Sequence, residues 1–289
     1  MKKTSDANQG KIYWHDAFFD AIQLEFREYA GLLTFEAEHK LNEEALIMDV
    51  LIIKKKPDAV INKNIGRIFR QHNIVEFKSE SDNLSIWDYS KVIGYAHIYS
   101  SFKKVPIEQI TISFNVTPRP KKLFRYLQST RNISISEISP GLSYICGEAF
   151  PVQVIENKKL AKNENLFLRI LRSNLTPREM QEMLNSDEMH NPLILKGAFL
   201  NCVVNANKNA FKEAMNKMSV DVKKIILEHF EENGMLNEFI EKGKLEGKLE
   251  TASEMLKRGF MLDEIAEITK MPAEWVQNLA NQTVARPKG

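Results

Sequence analysis

The residues of this chain best placed to do chemistry are two carboxylates and an amine set in apolar, strand-like text. Asp49 sits inside ALIMDVLIIKKK, and Glu76 and Lys78 sit two residues apart inside NIVEFKSE. Side chains two apart on a β-strand share a face, about 7 Å apart along it, so Glu76 and Lys78 must project into one patch. If the strand of Asp49 pairs antiparallel with that of Glu76, Asp49 can lie opposite or diagonal to it, placing two carboxylates and an ammonium together. Close carboxylates repel, and one protonates unless a cation neutralises both. Hard oxygen donors with no histidine or cysteine beside them suit Mg2+ or Mn2+. Such an ion lowers the pKa of a bound water and neutralises charge developing on a phosphoryl oxygen, with Lys78 orienting the water or stabilising the transition state. The chemistry that fits is phosphodiester hydrolysis. The blander alternative is a solvent-facing strand edge with a charge pair worth about 0.2–1 kcal/mol.

The elements around these residues follow from periodicity. In YWHDAFFDAIQLEFREYAG, Phe18, Ile22, Phe26 and Tyr29 lie on one helical face, and Gly31 is a plausible stop. His15 and Asp16 open that helix, the aspartate favourable at its positive end. Glu25 falls on the helix, where a polar outer face is the ordinary expectation. LLTFEAEHKL, with alternating Leu33, Phe35 and Ala37, and ALIMDVLIIKKK read as two strands joined by a turn. In the second, Leu46, Met48, Val50 and Ile52 point one way and Ile47, Asp49, Leu51 and Ile53 the other, as in a central strand covered on both faces. Residues 54–72 read as a connection with one helical turn. In the third strand Val75 and Phe77 face one side, and Ile74, Glu76 and Lys78 the other. Ser85, with Asp88 three residues on, predicts the N-cap of a long helix in LSIWDYSKVIGYAHIYSSF. ITISFNV is a further strand, and GLSYICGEAFPVQVIE adds strand pairing.

From about Lys158 the text turns helical, as in TPREMQEMLN opened by Thr176 and Pro177. GKLE occurs twice in Gly243–Glu250, placing Leu245, Leu249, Ala252 and Leu256 along one side of an expected exposed amphipathic helix, suited to pairing with a partner helix, a second copy of the chain among the candidates. The two glycines weaken that helix by roughly 1 kcal/mol each relative to alanine. In FMLDEIAEITKMPAEWVQNLAN, Ile265, Ala266, Ile268, Val276 and Leu279 could form the small core of a helix-turn-helix. Its second helix would expose Glu274, Gln277 and Asn278 and is poor in phosphate-binding Lys and Arg, which favours a structural or protein-interaction role.

An aspartate in one strand and Glu-x-Lys in the next, within an order of helix, three strands, helix and strand, resembles the PD-(D/E)XK nuclease superfamily. WHDAFFDAI, MDVLIIKK, IVEFKS and a C-terminal EGKLE helix resemble, more closely, the bacterial Rpn family of recombination-promoting nucleases and transposase-like proteins. The resemblance covers roughly residues 14–155 and the tail from Lys242. It implies an α/β fold: a restriction-endonuclease-like core, that is, a mixed β-sheet flanked by helices, with a C-terminal all-helical appendage. The expected divisions are a flexible tail over 1–10, a nuclease-like core over 11–157, a helical region over 158–241, and an amphipathic helix with helix-turn-helix-like tail over 242–289. The implied activity is endonucleolytic cleavage of DNA with Mg2+ or Mn2+. Asp49 matches the first metal-binding acid, Glu76 the second and Lys78 the catalytic lysine. Glu25 sits where some members supply another metal-site acid, and Lys91 and Tyr95 where members place auxiliary phosphate contacts. Two features depart from the pattern: Asp49 follows methionine instead of proline, and 27 positions separate it from Glu76. A literal Pro57-Asp58 pair lacks the alternation of a central strand and is set aside.

Composition fits this frame. Of 289 residues, 43% are hydrophobic and 27% charged, which suits a folded chain large enough for a core and an additional part. The 40 basic and 38 acidic residues leave +2, so no global field recruits nucleic acid. Local basic text lies in the loop-like KKK at Lys54–Lys56 and RPKK at Arg119–Lys122, which could flank a nucleic-acid groove. Cys146 and Cys202 have no metal or disulfide spacing and read as reduced core thiols. No apolar run is long enough to span a bilayer, and the expected location is the cytoplasm. Two rivals stand beside the nuclease. One is a catalytically silent nucleic-acid-binding or regulatory protein that keeps the fold; the other is an interaction module assembled through its C-terminal leucines.

Overall fold

The computed structural model describes residues 14–36, 39–40, 47–48, 51–186, 189, 197–219, 223–224, 226–228, 231 and 247–284. It divides into two units, Met1–Lys223 and Lys224–Gly289. The first holds α1 (Trp14–Glu25), β1 (Leu33–Glu36), β2 (His39–Lys40), β3 (Ile47–Met48), β4 (Leu51–Lys55), β5 (His72–Lys78), α2 (Ile86–Lys103), β6 (Ile110–Val116), α3 (Lys121–Ser129), β7 (Ser134–Ser139), β8 (Leu142–Cys146) and β9 (Val152–Glu156). Four helices follow: α4 (Leu166–Ile170), α5 (Pro177–Leu184), α6 (Gly197–Ala206) and α7 (Lys208–Asn216).

Seven strands form one mixed sheet in the order β1-β4-β5-β6-β9-β8-β7, and β2 and β3 pair separately. β4 runs antiparallel to β1 and β5, β6 runs parallel to β5, and β9 runs parallel to β6. Every residue of β6 and of β9 is buried, as expected of strands covered on both faces. One face packs on α2, whose Tyr89, Val92, Ala96 and Tyr99 recur every three or four residues and bury against Ile74, Ile112, Phe114 and Val154. The expected cap is present: the Ser85 side chain accepts from the Asp88 N–H, and Asp88 returns a bond to the Ser85 N–H.

The other face packs on α1. Phe18 stacks on Phe77 with ring centroids 4.5 Å apart, and the edge of His15 meets the same ring. Phe26, just past the helix, stacks on Phe69 at 5.2 Å. Gly66 lies so close to this pair that a Cβ there would come within 2.7 Å of Phe26 and 2.5 Å of Ile61. Buried polar residues on the α1 face bond across the strands: Asn73 donates to the Ile53 carbonyl at 2.9 Å, and Gln153 donates to Ser113 and to the Ile65 carbonyl, both at 2.8 Å.

Several expectations change. RPKK is not a loop throughout, because Lys121 and Lys122 open α3, an element absent from the sequence reading together with β7. KKK is not a loop either, since Lys54 and Lys55 belong to β4 and Lys54 pairs with the Glu36 carboxylate on β1. Of the helices after residue 158, α4 and α6 pack on α1 within the first unit, which continues to Lys223. Cys202 is a buried thiol as expected, but Cys146 is exposed.

In the second unit, helical residues 247–257 and the helices Leu262–Thr269 and Ala273–Val284 surround Ala252, Ile265, Met271 and Val276. Leu249 and Leu256 pack on that cluster, so this part of the expected exposed stripe is covered from within the unit. Leu245 and Lys242 lie outside the described residues. Of the expected small core, Ile265 and Val276 are fully buried and Ala266 and Leu279 pack on them, whereas Ile268 is 60% exposed. Among the described residues, no helix is long and apolar enough to cross a membrane.

Candidate functional site

Parity within β5 fixes which side of the sheet each charge occupies. Phe77 faces α1, so Glu76 and Lys78 face the α2 side, as the sequence alternation predicts. Both are buried, and Lys78 Nζ lies 3.3 Å from Glu76 Oε1. Two residues not chosen from the sequence complete the cluster. Asp88, in the first turn of α2, accepts from Lys78 Nζ at 3.1 Å, and Asp82, in the loop after β5, lies 3.4 Å from it. One ammonium is thus held among three carboxylates. Asp88 was legible only as a capping residue, since a cap motif is local and carries no information about a strand ten positions back. The acidic text SESDN after the strand was the available signal for Asp82.

The electrostatics follow. Burial opposes the charge on Lys78, but the hydrogen bond to Asp88 and the charges of Glu76, Asp82 and Asp88 outweigh it and raise the pKa above the ordinary lysine range. Burial also opposes ionisation of Asp88, and the Ser85 hydroxyl and N–H with the Lys78 ammonium outweigh it, holding this carboxyl below its ordinary value. These partners favour the protonated form of Lys78, which argues for a charge-stabilising role over that of a base.

The site lies at the carboxyl ends of three parallel strands, where open α/β sheets form crevices for ligands. Lys78 pairs with Val116 on β6, and Val116 with Glu156 on β9, so Glu156 shares the row about 10 Å away by strand spacing. Glu156 is buried and holds Arg119 at 2.7 Å and Lys159 at 2.9 Å. The loop after β5 is anchored from far along the chain, the N–H and hydroxyl of Ser173 both donating to Glu80 Oε2.

The other expected residues are placed as follows. Asp49 lies outside the described residues. β4 opens with Leu51 opposite Val75 and Ile52 opposite Ile74, so Leu51 and Ile53 face α1 while Ile52 shares the side of Glu76. The sequence alternation groups Asp49 with Leu51 and Ile53. Glu25 is not brought to Glu76 and Lys78. It belongs to α1, on the far side of the sheet, is 4% exposed, pairs with Lys63 Nζ at 2.7 Å and accepts from the Leu168 N–H at 2.9 Å. Burial raises its pKa despite these partners. Lys91 and Tyr95 meet each other on α2, the ammonium 5.9 Å from the ring centroid. Asp58 is exposed in a turn after β4.

No group of three or more His, Cys, Asp or Glu residues placed to hold a metal occurs among the described residues. Compared with models of protein families, with curated proteins and with solved structures, the chain matches none.

Proposed function

We propose that this chain is a metal-dependent nuclease that hydrolyses DNA phosphodiester bonds, with Glu76 and Lys78 in its site and Asp49 as the second metal-binding acid. The observation that carries the reading is the meeting of Glu76 and Lys78, 3.3 Å apart, on one buried face at the carboxyl end of β5. The main sheet supports it: after α1 come the antiparallel strands β1, β4 and β5, with β2 and β3 paired apart from them, then α2 and β6 parallel to β5, an order consistent with the expectation of a restriction-endonuclease-like core.

The donor types suit a hard dication, since the described groups around Lys78 are carboxylates. Glu76 and Asp49 would hold it, and when bound it would supply charge neutralisation at the phosphoryl oxygens and a more acidic water. Lys78 would hydrogen-bond the attacking water or a non-bridging phosphoryl oxygen as a fixed ammonium. The proton released by that water must leave by a route other than Lys78. Asp88 and Asp82 orient the ammonium and keep it charged.

The test is cleavage of plasmid and linear DNA with Mg2+ or Mn2+ against chelator. Asp49→Ala, Glu76→Ala and Lys78→Ala are expected to abolish cleavage, and Asp58→Ala to retain most of it. Cleavage that survives Glu76→Ala, or depends on Asp58, overturns the assignment.

A second reading is a nucleic-acid-binding protein that keeps this fold without catalysis. It is favoured by the self-contained character of the cluster, in which Lys78 already has three carboxylate partners at 3.1–3.4 Å. DNA binding in chelator that is indifferent to Asp49→Ala, with no cleavage under any metal, would decide for it.

A further inference from the structure

A groove of about 830 Å3 runs beside α3, walled in part by Arg119, Lys121, Phe124, Arg125, Gln128 and Glu137. Leu123, Phe124 and Leu127 of α3 share the buried cluster of Tyr89, Val92 and Val154, so this helix covers the same face of the sheet as α2. Lys121 and Arg125 stand four apart on α3 and therefore share a side of it, about 6 Å apart along the axis. Both are exposed, and among the described residues neither has a carboxylate partner.

Arg119 is held differently. Its Nη1 donates to Glu156 Oε1 at 2.7 Å and lies 3.7 Å from Glu137, and its guanidinium carbon lies 5.0 Å from the centroid of the Phe124 ring. The anchoring carboxylate of Glu156 is buried and already has a second cation, Lys159, at 2.9 Å, so neutralising it does not by itself require the arginine. Pinned at one nitrogen and packed on a ring, the guanidinium keeps a fixed orientation. Its Nε and Nη2 have no acceptor among the described residues. That edge is the planar fork that grips two oxygens of a phosphate together. Strand register then sets the span to the Lys78 cluster. Lys78 pairs with Val116 and Val116 with Glu156, two strand spacings or about 10 Å. Three steps of one DNA strand, at about 3.4 Å each, cover that distance.

We propose that Arg119, Lys121 and Arg125 form a phosphate-binding groove along α3 that carries the backbone of duplex DNA about three nucleotides from the cleavage point, with Arg119 gripping one phosphate by its Nε–Nη2 edge. The identity of the polyanion rests on the nuclease reading. The groove itself needs neither metal nor catalysis.

The experiment measures binding of the full chain to a labelled duplex, in chelator, by fluorescence anisotropy over a range of salt. Lys121→Gln and Arg125→Gln are each expected to weaken binding alike for unrelated sequences and to lower the slope of log affinity against log salt by about one phosphate contact. Arg119→Lys keeps the charge and loses the fork, and is expected to weaken binding roughly ten-fold with little change in that slope. Lys212→Gln removes the same charge from an exposed position on α7 and should leave binding unchanged. Because Lys121 and Arg125 are exposed and have no carboxylate partner among the described residues, their variants should melt with the parent, which separates binding from folding. An unchanged salt slope in the Lys121→Gln, Arg125→Gln double variant, an equal loss with Lys212→Gln, or no duplex binding by the parent would each overturn the proposal. The two readings fail separately. Duplex binding that depends on the α3 cations without metal-dependent cleavage keeps the groove and removes the nuclease; cleavage that needs Glu76 but ignores the double variant does the reverse.

Discussion

Asp88 joins the helix α2 to the strand β5: its Oδ1 accepts from Lys78 Nζ at 3.1 Å, while its Oδ2 accepts from the Ser85 N–H at 3.0 Å. Asp88→Ala removes a helix cap and a lysine partner together, with an expected loss of about 1–2 kcal/mol. Asp88→Asn keeps an acceptor for Ser85 and should lose less. Urea unfolding of the three proteins should rank the parent first and alanine last. The folded pKa of Asp88 is depressed, so its contribution is present above the ordinary carboxyl value of 3.8 and disappears as pH falls through the lower folded value.

Lys78 has the opposite sign. Its folded pKa is raised, so its contribution is complete below the ordinary value of 10.5 and is lost only as pH climbs through the higher folded value. Lys78→Met leaves Glu76 buried without its ammonium and is expected to cost roughly 3 kcal/mol at neutral pH. The stability difference between parent and variant should stay flat from neutral pH to about pH 10 and then shrink, as read from denaturant midpoints across that range.

Glu25 and Lys63 form the second buried pair, 2.7 Å apart. Lys63→Met strands a carboxylate whose pKa burial already raises, so a loss of about 3–5 kcal/mol is expected at neutral pH. A raised carboxyl pKa favours the folded state once the group is protonated. The penalty should therefore shrink as pH falls toward the folded pKa, and Lys63→Met combined with Glu25→Gln should recover much of the stability at neutral pH. In the cleavage assay, Glu25→Gln alone should show no loss of DNA cleavage beyond its effect on folding.

Ile265 and Ile268 share one short helix, yet the first is fully buried and the second 60% exposed. Ile265→Ala is expected to cost about 2–5 kcal/mol of the second unit's stability and Ile268→Ala less than about 0.5 kcal/mol. Circular dichroism melts of the full chain would separate the two.

The local parts of this structure were legible in the sequence because local rules govern them. The Ser85–Asp88 box announces α2, and two-residue alternation placed Glu76 and Lys78 on one face opposite Phe77. Glu25 shows how far such rules reach when applied in full. It stands three residues past Ile22 and seven past Phe18, so it falls on the apolar stripe of α1, and a buried carboxylate needing a cation was readable there. That Lys63 supplies the cation was not, because nothing in the intervening text pairs the two. The stripe of Leu249, Ala252 and Leu256 failed for a similar reason: an apolar face shows that something covers it without naming the cover, which is the pair of helices that follows. α3 was hidden by its basic opening, although Leu123, Phe124 and Leu127 carry helical spacing.

The bond between Ser173 and Glu80 has a consequence in time. Glu80, in the loop after the strand with the candidate site, leaves the ribosome 93 residues before Ser173, which ties that loop down. At about 5–20 residues per second, that gap is roughly 5–20 s of synthesis. During it the nascent chain carries the charges of β5 with their loop untethered. A chain released before Ser173 would hold the strand and its charges but not the clasp on the loop that follows them.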